Sequence, residues 1–130
     1  MVIKILNRQS DRIMQELIKK RTKGIGLEII DLVNELPRNQ SAKIISSQIL
    51  RSATSIGANY RAACRAKSTA DFINKLKIVE EESDETHYWL EILEESGLVK
   101  ADRVSKIKTE VDEITAIIVA SIRTSRRKKL

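Results

Sequence analysis

Apolar and small residues recur along this chain in steps of three and four, and the recurrence breaks in three places. The clearest run is Phe72, Leu76, Val79, Ser83, Thr86, Leu90 and Leu93. Alternating steps of four and three make a seven-residue repeat, the seam of a left-handed helical bundle. Its middle, Ser83 and Thr86, is small and polar. A second run, Val104, Ile107, Val111, Ile114, Ile118 and Ile122, predicts a helix that begins near Asp102 as N-cap. A third, Ile45, Ile49, Ala53, Ile56, Tyr60 and Ala63, predicts a helix capped near Ser41, with Gly57 and the alanines allowing close approach by a neighbour. Earlier still, Ile18, Ile25, Ile29, Leu32, Val33 and Leu36 form the first stripe.

The breaks carry their own signals. Pro37 ends the first helix, because the residue before proline avoids the α region. Ala66-Lys67-Ser68 ends the second, with Ser68 capping the third helix and Asp71 at the capping-box position. Gly97 closes the third helix. Gly24 and Gly26 interrupt the first stripe, at about 1 kcal/mol each against alanine. They predict a bend, or a junction between a loose N-terminal arm (residues 1–12) and the packed helix. Short connections between four amphipathic helices predict an all-α, antiparallel up-down-up-down bundle, one domain over residues 1–130 with a frayed basic tail at 126–130.

Composition narrows the classes. Apolar residues make up 42% and aromatics 3%, so the core is built from aliphatic side chains, and one proline with four glycines is too few turn signals for an all-β fold. Charged residues reach 32%, and no apolar run approaches the roughly 20 residues that span a bilayer. Met1–Leu6 is not followed by a small-residue cleavage site, and a single cysteine excludes an internal disulfide. The expectation is a cytoplasmic protein with no membrane partner.

The net charge of +6 is unevenly spread. Ser41 to Ala70 holds no acid and the bases Lys43, Arg51, Arg61, Arg65 and Lys67, whereas Asp71 to Val99 is rich in acids. Opposite signs on consecutive helices predict ion pairs across the hairpin, whose facing residues sum to roughly 133. Arg51 is then expected near Glu81, Glu82 or Glu85, and Arg61 near Asp71 or Asn74. Ile78, Trp89 and Ile92 lie beside the third helix's seam and predict a subunit interface, since adjacent Tyr88 and Trp89 point to different faces. The terminal Arg123, Arg126, Arg127, Lys128 and Lys129, with Lys19, Lys20, Arg21 and Lys23 of the first helix, are the candidate contacts to RNA or DNA. No aromatics interleave them, so the expected chemistry is phosphate neutralisation without base stacking.

Catalytic chemistry finds little support. Asp84 and His87 supply one Glu-x-x-His-like step beside Glu85, but a bundle metal site needs two, and the second helix has no acid. A solvated or arginine-paired acidic face is the expected reading, with no metal and no cofactor. Cys64 is read as a small buried hydrophobe, and Gly24-Ile25-Gly26 lacks the later glycine of a nucleotide loop.

Pro37, Gln48, Arg51-Ser52-Ala53, Ser55-Ile56, Asn59, Arg65, Ser68, Asp71-Phe72 and Glu85 resemble the signature of the four-helix bundle proteins encoded in intervening sequences of bacterial large-subunit ribosomal RNA genes. Tyr88-Trp89-Leu90 and Glu94-Glu95-Ser96-Gly97 resemble one subgroup. Many members carry an acidic residue and a glycine after the asparagine; this chain reads Asn59-Tyr60-Arg61-Ala62-Ala63-Cys64. The resemblance implies a ring pentamer with a basic surface. It also implies kinship with the accessory protein of diversity-generating retroelements, which binds nucleic acid and reverse transcriptase. It carries over no catalytic or binding residue. The reading is a non-enzymatic, self-assembling scaffold or adaptor with RNA, DNA or a protein as partner. The alternatives are an enzyme or metal-binding protein built on Asp84, Glu85 and His87, or a purely structural oligomer.

Overall fold

The computed structural model describes residues 2–128 of the chain; Lys129 lies outside them. Four helices follow one another: α1 (Val2–Asn34), α2 (Gln40–Cys64), α3 (Thr69–Glu95) and α4 (Ala101–Lys128). Each packs on its neighbours in sequence, and α1 closes the bundle against α4. Tertiary ion pairs give the direction. Arg21 of α1 meets Glu110 of α4, and Arg103 at the start of α4 meets Glu35 just past α1. The helices α1 and α4 therefore run antiparallel, and so do α1 and α2, where Gly26 faces Thr54 and Gly57 faces Lys23.

The stripe of α4 is buried in full, and α3 buries Leu76 through Leu93 of its seam. At the start of α3 the buried residue is Ile73, and Phe72 is only partly covered. Val33 and Leu36 are likewise partly covered. Three polar residues join Ser83 in the core: Thr22, Ser52 and Thr86. The Thr22 hydroxyl bonds back to the Ile18 carbonyl (2.8 Å), and Thr86 and Ser52 hydroxyls lie 2.9 Å apart across the α2–α3 contact. The hydrogen bonds of Thr22, Ser52 and Thr86 offset the cost of burying their hydroxyls, whereas the buried Ser83 hydroxyl has no partner among the described residues.

The helix ends differ from expectation in three places. The N-cap of α2 is Asn39 rather than Ser41, its side chain accepting from the Ala42 amide at 2.9 Å. Both are good caps, and Asn39 comes first after Pro37. Asp102 sits in the first turn of α4 instead of capping it, where its charge still favours the helix dipole. The helix of α4 continues past Ser125 to Lys128, with Arg126, Arg127 and Lys128 in the last turn complementing its negative end. Ser68 caps α3 as expected, accepting from Asp71 N at 3.1 Å, and Gly97 takes φ +81°, the left-handed turn that favours glycine.

The helix of α1 runs unbroken through Gly24 and Gly26 and back to Val2, so the glycines mark neither a break nor the end of an arm. The close approach lies elsewhere. A Cβ on Gly57 would stand 3.3 Å from the backbone nitrogen of Lys23, whereas one on Gly24 would meet nothing within 4 Å. Gly24→Ala should therefore raise stability by about 0.5–1 kcal/mol through helix propensity. Gly57→Val should lower it by about 1–3 kcal/mol by forcing α1 from α2. Urea unfolding of the two variants beside the parent checks the opposite signs.

Candidate functional site

The structure sorts the charged residues into those locked by tertiary pairs and those left free. Arg51 is paired with Glu82 (3.3 Å) and with Glu85 across the α2–α3 contact. Hydrogen bonding to Glu85 raises its pKa above the ordinary guanidinium value. The Arg51 side chain is 50% exposed, so this is a surface pair that steers helix register and adds little stability. Glu81 is exposed and takes no part.

Arg61 does not reach Asp71. Ten residues after Arg51, it is rotated by about 80° around α2, and it lines a cleft with Glu16, Lys19, Lys20 and Lys23 of α1. Asp71 bonds instead to Lys75 (2.6 Å) one turn on, and that hydrogen bond holds its carboxyl below the usual range.

Arg21, unlike the other described bases of α1, is engaged by acids of α4. Its guanidinium donates to both oxygens of Glu110, at 2.9 and 2.6 Å, and to Glu113 at 2.8 Å. The Arg21 hydrogen bonds hold the Glu110 carboxyl below its ordinary value. Lys19 is paired with Glu16 at 2.9 Å. Lys20 and Lys23 have no ion-pair partner among the described residues.

One end of the bundle is cationic. There α1 begins, α2 ends, α3 begins and α4 ends, which gathers Arg12, Arg65, Lys67, Arg126, Arg127 and Lys128. All six are exposed. Lys67 from the α2–α3 turn and Lys128 from α4 line one open cleft of about 300 Å³, together with Cys64, Ser68 and Ser125. Arg65 and Lys67 carry a surface that the tail alone suggested in the sequence. Only the antiparallel topology brings the turn and the tail together.

Asp84, Glu85 and His87 do not converge. Asp84 is exposed, Glu85 faces Arg51, and His87 faces α4. His87 Nε2 lies 3.1 Å from Glu91, and Nδ1 lies 2.9 Å from Asp112 without the alignment of a hydrogen bond. Among the described residues no group of three His, Cys, Asp or Glu is placed to hold a metal ion. Cys64 is half-buried, and burial pushes its thiol pKa up, away from a reactive thiolate. No described helix is long and apolar enough to cross a membrane.

The interface candidates also shift. Trp89 lies three residues after Thr86 and four before Leu93, so it flanks the seam and packs partly on the core, as does Ile92. Ile78 is 40% exposed, and the aromatic facing outward is Tyr88, 53% exposed, its ring edge-on to Trp89 at 5.0 Å.

These features define an all-α four-helix bundle with one cationic end and separate structural ion pairs. Residues 15–120 match the model of the 23S rRNA-intervening sequence protein family, and the chain belongs to that family. It is also similar to a solved structure, a protein of unknown function from the S23 ribosomal protein family of Bacteroides thetaiotaomicron. That protein is 38% identical, with a TM-score of 0.78 over 84% of this chain and 97% of the other. No curated protein matches the chain.

Proposed function

We propose that this protein is a non-enzymatic, self-assembling helical scaffold of the cytoplasm that holds RNA or DNA by its phosphates at the cationic end of the bundle. The observation that carries the reading is the gathering of Arg65, Lys67, Arg126, Arg127 and Lys128 at that end. Exposed cations on rigid helix ends neutralise a phosphate backbone and release its counterions. Arg12 and Arg123 extend the same surface; both are exposed. Lys129 follows Lys128 in the sequence. Tyr88, the exposed aromatic, lies on the acid-rich α3; Phe72, only partly covered, lines the cleft that Lys67 and Lys128 share, and one half-covered ring offers stacking without reading base identity.

The chemistry predicts affinity without sequence choice. Gel mobility shifts with two unrelated single-stranded RNAs should show similar binding at about 50 mM salt. A loss of roughly a hundredfold or more is expected by about 200 mM. Strong preference for one sequence, or affinity indifferent to salt, would refute phosphate neutralisation as the mode.

Self-assembly rests on the apolar surface that one chain leaves uncovered. Leu27 and Ile30 on α1, Ile44 on α2, and Ile78 and Tyr88 on α3 are each at least 40% exposed. A bundle with so filled a core does not need them for its own fold.

A further inference from the structure

We infer that copies of this chain join head to tail, with Tyr88 of one copy seated in a hollow between α1 and α2 of the next. The inference rests on the self-assembly proposed above and names the two surfaces that meet. The hollow is lined by Gly26, Leu27 and Ile30 of α1 and by Thr54, Gly57 and Ala58 of α2, with a volume of about 240 Å³. At Gly26 and Gly57 the two helices run close, and a Cβ there would already touch the facing helix, 3.5 Å from the Thr54 side chain and 3.3 Å from the Lys23 backbone. The hollow is mostly apolar, and it holds several times the volume of a water molecule. Leu27 and Ile30 stand on its wall, 55% and 40% exposed.

Charge selects the occupant. Lys23 and Arg61 stand at the rim of the hollow, and Lys20 lies beside them in the adjoining cleft. None of the three is ion-paired among the described residues, and α2 carries no acid along its length. A knob that enters this hollow should be apolar at its centre and acidic around it. One surface of the same chain has that composition. Tyr88 projects from α3, steadied by its edge-on contact with Trp89. Glu81 and Asp84, two and one turns before it, and Glu95, two turns after it, are exposed and unpaired among the described residues. On a helix, residues three, four and seven apart share a face. The acids therefore frame the ring as the cations frame the hollow.

Knob and hollow lie on different faces of the chain, α3 on one side and α1–α2 on the other. Each copy then offers one of each, and the contact is heterologous. Such contacts propagate until the rotation closes a ring or continues as a filament. Burying an aromatic in a preformed pocket ringed by complementary charge is the usual make-up of an interface hot spot.

Sedimentation velocity of the full-length protein tests this, with circular dichroism confirming that each variant is folded. The parent should sediment as an oligomer at micromolar concentration. Tyr88→Ala should weaken association at least tenfold, as should the charge reversals Lys23→Glu/Arg61→Glu and Glu81→Lys/Asp84→Lys taken separately. Mixing the two reversed proteins should restore association, because each then offers the other a complementary surface. A parent oligomer that Tyr88→Ala and both reversals leave intact would overturn the knob and hollow while leaving self-assembly standing. A monomeric parent would overturn both.

Discussion

Leu90→Ala should lower the stability of this protein by about 2–5 kcal/mol. Leu90 is fully buried in the seam of α3, among the largest side chains that the bundle covers completely. Its neighbours on the same face, Thr86 and Leu93, are also fully buried. The helices around them are held in register by Arg51 with Glu82 and Glu85 on one side and Lys108 with Glu94 on the other. Urea denaturation at one fixed protein concentration measures the cost, since self-association adds to the stability of the folded state. A loss under about 1 kcal/mol would mean that the seam is not packed as described.

Replacing Arg126, Arg127 and Lys128 by glutamine should reduce RNA affinity by one to two orders of magnitude near 100 mM salt and flatten its salt dependence by up to about three phosphates' worth. The three residues form the last turn of α4, and all are exposed. The buried stripe of α4 ends at Ile122, so the bundle should remain folded. Loss of the cations from the helix terminus costs only a few tenths of a kcal/mol in dipole interaction. Fluorescence anisotropy with a labelled RNA, repeated at several salt concentrations, gives both affinity and slope. An unchanged slope would place the phosphate contacts elsewhere.

Much of this fold was legible because a heptad pattern fixes helix, face and partner together. The stripe of α4 was complete in the sequence, from Val104 to Ile122. What escaped were positions where residue type and environment disagree. Thr22 and Ser52 are polar and yet buried, and their signal was spacing alone: Thr22 lies four residues after Ile18 and three before Ile25. Trp89 falls outside the seven-residue seam, yet its spacing from Thr86 and Leu93 puts it beside them and partly on the core. Arg61 is the converse case. Net charge drew it toward the acids of α3, but helical rotation turns it to α1. Charge totals state that two helices attract; only angular position states which side chains meet.

The candidate site was less legible than the fold. The basic tail was visible as a run of letters, whereas its neighbours Arg65 and Lys67 lie about sixty residues away in sequence and join it only through antiparallel packing. Arg21 looked equivalent to Lys20 and Lys23. It is paired with Glu110 and Glu113, acids of a helix that begins eighty residues later.

Sedimentation velocity of a mixture of the protein with labelled single-stranded RNA at low salt tests the central claim most directly, following the RNA label. The account predicts that the RNA moves with a complex containing several protein copies and returns to the rate of free RNA as salt is raised, while the protein remains assembled. RNA that sediments free at low salt in the presence of assembled protein, or that travels with a single protein copy, would contradict it.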